Sequence, residues 1–242
     1  MDQERFQAAV QTIRGQGRQR AGIGTLGEKS VHAVLKEYYS FGDGKEVRIG
    51  GFVADIVGED GIIEIQTRQV GRLYKKLSEL LPLCRVTVVV PVVTKNTIQW
   101  ISPQTGELLD RRTSPKKQKA LDGAAELYGI KPLLKNEGLT VRLILIETEE
   151  IRLRTEAKRG RAKAKEKIDR LPVRAEDEIV LRVPEDYREL LPEGLVEFTS
   201  KDLSAAAHIS LSTAQTVLNI MSFVGAVEVI GKKGRSNLYR KG

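Results

Sequence analysis

Apolar positions recur along the chain at two spacings. Between residues 25 and 39, Val31, Val34, Leu35 and Tyr38 fall at helical intervals. Thr25 suits an N-cap with Glu28 three residues on, and Gly42 follows the end, so the spacing predicts a helix. Three short strands are then predicted at 46–49, 51–57 and 62–67, the last two joined across Gly58-Glu59-Asp60-Gly61 as a meander. A second amphipathic helix is predicted over 70–81, with Val70, Leu73, Tyr74, Leu77 and Leu81 inward, Arg72, Lys75, Lys76 and Glu79 outward, and Pro82 as its stop. Residues 86–90 are a β-branched run without alternation, as expected of a strand buried on both faces.

Further on, the pattern predicts a strand at 97–101, a turn at 103–106, a helix from about 114 to 128 and a strand at 139–146. Pro172, Pro184 and Pro192 then mark an extended or irregular connection with one strand, 178–183. Past it, two short helical patterns lie close together and two strand candidates, 227–230 and 238–240, flank Gly231-Lys232-Lys233-Gly234-Arg235-Ser236-Asn237. The expected fold class is α/β, a mixed sheet flanked by helices, with a small C-terminal domain. The expected divisions are 1–150, a basic connecting segment at 151–195, and 196–242.

Composition removes several classes. The 242 residues include one cysteine, Cys84, and two histidines, His32 and His208, which excludes a disulfide scaffold and argues against structural zinc. The longest apolar stretch, 86–93, contains Pro91 and is far short of the roughly 20 residues a membrane helix needs. Residues 1–20 are polar and charged without an apolar signal core, so the expectation is a cytoplasmic protein with no membrane partner. The net charge is +8, and residues 152–174 alone carry +7. Such a segment is either a solvated charged face or a polyanion contact.

The residues best suited to chemistry lie in the predicted hairpin. If Glu59-Asp60 or the four residues Gly58 to Gly61 make the turn, antiparallel partners have numbers summing to 119, which sets Asp55 opposite Glu64. Opposed like charges are destabilising, so a counter-charge is required. Glu64 and Gln66 share one face while Ile63 and Ile65 share the other. A hard divalent cation would serve, since Mg²⁺ is commonly held by one or two carboxylates with waters. A solvated outer face neutralised by a nearby Lys or Arg would serve equally well.

Glu28 in the leading helix, Asp55 late in one strand and Glu64-Ile65-Gln66 in the next, with a helix and strand after them, resemble the PD-(D/E)XK, or restriction-endonuclease-like, nuclease superfamily. The resemblance covers roughly residues 25–92, extending toward 146. It implies that Asp55 and Glu64 ligate Mg²⁺ or Mn²⁺, with the Ile65 carbonyl as a further donor, and that Glu28 helps as a ligand or through water. Gln66 stands where the family usually has Lys, although some members carry Gln, and Ala54 replaces the nominal Pro. Gln can neither supply a charge nor take a proton; a displaced lysine could compensate, with Lys36 and Lys75 as candidates, although each reads first as a solvent-facing helical charge. His32, one turn after Glu28, could face the same site or be an ordinary surface or core histidine. Arg68-Gln69 and Tyr74 are similar, off by one in spacing, to the Gln/Tyr helix with which exonuclease-like members contact DNA; Tyr74 also reads as core.

From 197 to 241, Thr199 or Ser200 and Ser210 or Ser212 are N-cap candidates for two helices joined by a short turn. Leu203, Ala206 and Ile209 would pack on Ala214, Val217, Leu218 and Met221. This resembles a winged helix-turn-helix domain across some 45 residues. The resemblance implies DNA contacts by Ser212, Thr213, Gln215, Thr216 and Asn219 on the second helix, and by Lys232, Lys233 and Arg235 in the basic wing. Winged helices also serve as protein-interaction modules, and no arginine on the second helix offers a reading of guanine.

Nuclease-like hairpin, winged helix and basic segment converge on double-stranded or branched DNA as partner. The leading expectation is a metal-dependent DNA endonuclease or DNA-processing nuclease. The alternatives are a non-catalytic, regulator-like DNA-binding protein with a degenerate nuclease fold, favoured by Gln66, and an RNA-processing or assembly protein. Superfamily members that cut both strands often act as dimers, which makes a homodimer compatible with the resemblance, but no segment of the chain announces an interface.

Overall fold

The computed structural model describes residues 1–19, 29–40, 44–154 and 165–242. Its helices are α1 (Gln3–Gln19), α2 (Lys29–Tyr39), α3 (Tyr74–Leu80), α4 (Ala120–Ala125), α5 (Pro184–Arg188), α6 (Ser200–Ala207) and α7 (Leu211–Val224). The strands are β1 (Gly44–Ile49), β2 (Phe52–Gly58), β3 (Gly61–Ile65), β4 (Val86–Ile101), β5 (Leu108–Thr113), β6 (Leu139–Arg154), β7 (Lys165–Leu181), β8 (Glu197–Phe198), β9 (Val227–Lys233) and β10 (Ser236–Lys241). Seven strands form one mixed sheet in the order β1-β2-β3-β4-β6-β7, with β5 paired to β4. The chain is thus a mixed α/β protein with a large sheet flanked by helices. Among the described residues no helix is long and apolar enough to cross a membrane.

Two compact units emerge, each assembled from separate stretches of chain. One comprises 1–42, 93–117 and 145–177; the other comprises 43–92, 118–144 and 178–242. In the first, Phe6, Val10 and Ile13 of α1 and Val31, Val34 and Leu35 of α2 are buried. Gln3 donates to the Ala175 carbonyl, and Gln7 to that of Val173 at 2.7 Å. Two side chains one helical turn apart thereby satisfy alternate carbonyls of β7, the terminal strand in the sheet order, which would otherwise present an open edge.

In the second unit, the β2–β3 turn is the two residues Glu59 and Asp60, with Gly58 opposite Gly61, Val57 opposite Ile62 and Ile56 opposite Ile63. The predicted register holds. Gly61 takes φ +115°, a conformation that favours glycine. β3 then pairs parallel to β4, Glu64 beside Val88 and Ile65 beside Val89.

The second predicted helix divides into a 3₁₀ turn, Val70–Leu73, and α3. Val70, Leu73, Leu77 and Leu81 are buried as expected and Leu80 with them, whereas Tyr74 is 43% exposed, not inward. The two strands expected at 86–90 and 97–101 are one strand, β4, running through Pro91. Val89 accepts from the Gln66 N–H on the β3 side, and by the two-residue period Pro91 turns its missing N–H to that same side, past the end of β3. The helix expected at 114–128 is the short α4 followed by a 3₁₀ segment, Glu126–Leu133. β5 and α5 were not foreseen. Most of the described residues of the connection expected at 151–195 are strand, because β6 extends to Arg154 and β7 runs from Lys165 to Leu181.

At the C-terminus, Thr199 and Ser210 are the N-caps of α6 and α7. Their side chains accept from the Asp202 and Thr213 N–H groups, and Gly225 ends α7 in the left-handed region. His208, at φ +49°, closes α6 and begins the turn to α7. β8, β10 and β9 form a three-stranded sheet.

Candidate functional site

The regular β2–β3 ladder gives way one step past Ile56–Ile63, at Asp55 and Glu64. Asp55 Oδ2 accepts from the Ile65 N–H at 2.9 Å, and the Asp55 N–H points to Glu64 Oε1 at 3.4 Å. The strands therefore finish their pairing through carboxylates, which places both acids together as the 119 sum requires.

Glu64 is 3% exposed, and the counter-charge comes from α3. Lys76 Nζ lies 2.5 Å from Glu64 Oε1 and donates to the Val53 carbonyl at 2.6 Å. Burial pushes the Glu64 carboxyl above its ordinary range, more than Lys76 draws it down, and the charge of Asp55 adds to the rise. The lysine beside the acid pair is Lys76, a residue expected to face outward, while Lys75 is exposed. The signal was present in the helical spacing: Lys76 precedes buried Leu80 by four residues and so shares its face. Lys36, the other candidate, is buried on α2 in the first unit. Glu28 lies outside the described residues.

Gln66 donates its side-chain amide to the Arg68 carbonyl, fixing the turn that leads out of β3. Gln69, three residues on, sits at φ +53°, a left-handed conformation uncommon outside glycine. His32 is half-buried on α2.

Among the described residues no three of His, Cys, Asp and Glu converge as a metal-ligand group. Asp55 and Glu64 nonetheless fit a hard divalent cation. They are two adjacent oxygen donors, one buried and held above its ordinary carboxyl range by lost solvation and a neighbouring like charge, and Mg²⁺ is bound by one or two carboxylates with waters.

In the C-terminal elements, Ser212, Gln215 and Asn219 are exposed and Thr213 and Thr216 half-buried. Two of these five side chains are engaged within their own unit. Asn219 Oδ1 accepts from Lys131 Nζ at 2.8 Å, and Thr213 Oγ1 faces Asp122 Oδ1 at 3.4 Å. Lys131 and Lys135 also lie over the Phe223 ring, at 5.3 and 4.9 Å. Lys119 donates to the Ala207 carbonyl. Sequence reasoning missed this docking of α7 on the 118–135 stretch, because no pattern in either segment names the other. Lys232, Lys233 and Arg235 are exposed at the β9–β10 turn.

A mixed α/β chain with an acid pair on a hairpin and a helix lysine beside it is the class that fold and site define. Its family follows from comparison: the chain belongs to the family described as "Domain of unknown function (DUF8091)", whose profile matches residues 29–182. It is similar to an "Uncharacterized protein" of Treponema pallidum (strain Nichols), with 30% identity over 221 residues, covering 90% of this chain and 87% of the relative. No solved structure matches.

Proposed function

We propose that the protein is a metal-dependent DNA nuclease of restriction-endonuclease-like fold, with residues 196–242 acting as a winged-helix DNA-binding module. The observation that supports this most is the Asp55–Glu64 pair with Lys76 Nζ at 2.5 Å. Acid, acid and lysine converge although they come from two strands and a helix.

In this reading Asp55 and Glu64 hold Mg²⁺ or Mn²⁺. The ion, when bound, lowers the pKa of a water nucleophile and offsets charge building up on the phosphodiester. Lys76 carries the positive charge that Gln66 cannot. Its ammonium, tied to Val53 and Glu64, favours the charged form of Glu64 against the burial that raises its pKa, and presents a fixed donor toward a phosphate oxygen. Gln66 orients the chain at Arg68 and moves no proton. The exposed Lys232, Lys233 and Arg235 contact phosphates, and Ser212, Gln215 and Thr216 are the α7 side chains left to approach DNA.

The test is incubation of purified protein with supercoiled plasmid in Mn²⁺ or Mg²⁺, beside an Asp55→Ala/Glu64→Ala variant and an EDTA control. Metal-dependent nicking that vanishes in the variant is the expected result. A second reading, a non-catalytic DNA-binding regulator, is favoured by the pairing of Glu64 with Lys76, which can neutralise the hairpin without any metal. Absence of nicking with equal DNA shifts by both proteins would select it.

A further inference from the structure

In the first unit a second buried acid gathers more cations than it needs. Ile146, Thr148 and Glu150 alternate along one buried face of β6, and Glu150 is 0% exposed. Arg152 Nε donates to Glu150 Oε1 at 2.6 Å, and Arg170 Nε donates to Oε2 at 2.9 Å. Lys167 Nζ stands 3.7 Å from Oε2. Asn96, itself held by the Thr148 hydroxyl at 2.9 Å, reaches Glu150 Oε2 at 3.5 Å. The Arg152 guanidinium also lies over the Trp100 ring at 5.4 Å.

One carboxylate needs one guanidinium. Here two arginines and a lysine crowd it, at the cost of their mutual repulsion. Asp169 is the neighbouring acid, accepting from the Ser30 hydroxyl at 2.9 Å and from the Arg170 N–H at 2.7 Å. The cationic heads are fixed yet reachable: the Arg152, Lys167 and Arg170 side chains expose 29%, 29% and 26% of their surface. Buried ion clusters are weak stabilising devices, whereas guanidinium forks held rigidly by a carboxylate and an aromatic ring are suited to phosphate oxygens.

We infer that Arg152, Lys167 and Arg170, held by Glu150, form a clamp for the phosphodiester backbone of duplex DNA, a contact separate in composition from the carboxylate site and the wing. Glu150 is a positioning residue. The inference rests on the nucleic-acid reading above and adds the residues that grip the substrate's backbone.

The experiment measures binding of the full chain to a fluorescein-labelled duplex in EDTA across a range of salt, with RNA of equal length as a second probe. Lys167→Gln/Arg152→Gln leaves Arg170 on Glu150. It should weaken binding about tenfold, irrespective of sequence, and flatten the slope of log affinity against log salt by about 0.9 for each lost contact. Lys167→Gln alone breaks only the longest of the pairs, so it decides the question if the double variant does not fold. Glu150→Gln raises the net charge by one. Weakened DNA binding by that variant in folded form supports positioning, and tightened binding overturns it. Wild-type affinity and slope in folded Lys167→Gln/Arg152→Gln, while the plasmid assay still shows nicking, would overturn the clamp and leave the nuclease standing. Failure of the wild type to bind DNA, or tighter binding of RNA, would overturn both.

Discussion

Replacing Lys76 with Met tests the account of the hairpin most directly. Glu64 is 3% exposed and the Lys76 side chain 12%, so neither charge is well screened by water. Removing one member of a buried pair costs about 3–5 kcal/mol, because the remaining charge is left without compensation. Here the lower end applies: Glu64 already sits above its ordinary range and can relieve part of the cost by taking a proton. Met keeps the packing of the Lys stem, so about 3 kcal/mol reports the charge and the lost donor to Val53. For a chain of this size that lowers the melting midpoint by about 6–12 °C. Glu64→Gln, which leaves Lys76 an amide oxygen to donate to, should cost about 1–2 kcal/mol. Urea melts of both single variants and the double close the cycle. A coupling of about 1–3 kcal/mol is expected, with the double less damaging than the sum. A Lys76→Met variant within about 0.5 kcal/mol of wild type, or strict additivity, would refute the pair.

The same melts with added Mg²⁺ should show protection of about 2.7 kcal/mol at a hundredfold excess over Kd, absent in Asp55→Ala/Glu64→Ala; equal protection of both proteins would remove the metal from the hairpin. Gly129→Ala would place a Cβ 2.5 Å from the Gly71 Cα, backbone that no rotamer change can clear. It should cost about 1–3 kcal/mol and, by shifting the turn from which α3 departs, reduce activity as well as stability; a neutral melt would show that the two 3₁₀ segments are not locked there. Thr199→Ala removes the N-cap of α6 at about 1 kcal/mol, read as a drop in urea midpoint. Hydrogen bonds from the Thr199 backbone and hydroxyl hold Asp202 below the ordinary aspartate range. Its contribution is therefore present at neutral pH and lost as pH falls below the unfolded value through the native one. Acid melts of Asp202→Asn should lack that component, and an unchanged acid slope would contradict the cap.

What the sequence made legible had local causes. The Asp55–Glu64 opposition follows from a two-residue turn and the period of a strand, both contained in ten residues, and the N-caps of α6 and α7 from hydroxyls within four. What stayed hidden depends on partners far along the chain. Residues 165–177 read as an irregular basic connection because their neutralising acids lie on another strand: Arg170 answers Glu150 and Arg174 answers Glu147. β5, exposed along its whole length, has no buried face to impose alternation, and only its ladder with β4 makes it a strand. Lys76 was misread for a related reason. Its partners Glu64 and Val53 lie on strands outside the helix, and the apolar spacing of 70–81, which places Leu77 and Leu81 correctly, carries no mark of them. A wheel sorts side chains by polarity alone, so Tyr74, which the structure exposes, counts as core, and Lys76, whose ammonium meets a buried carboxylate, counts as surface.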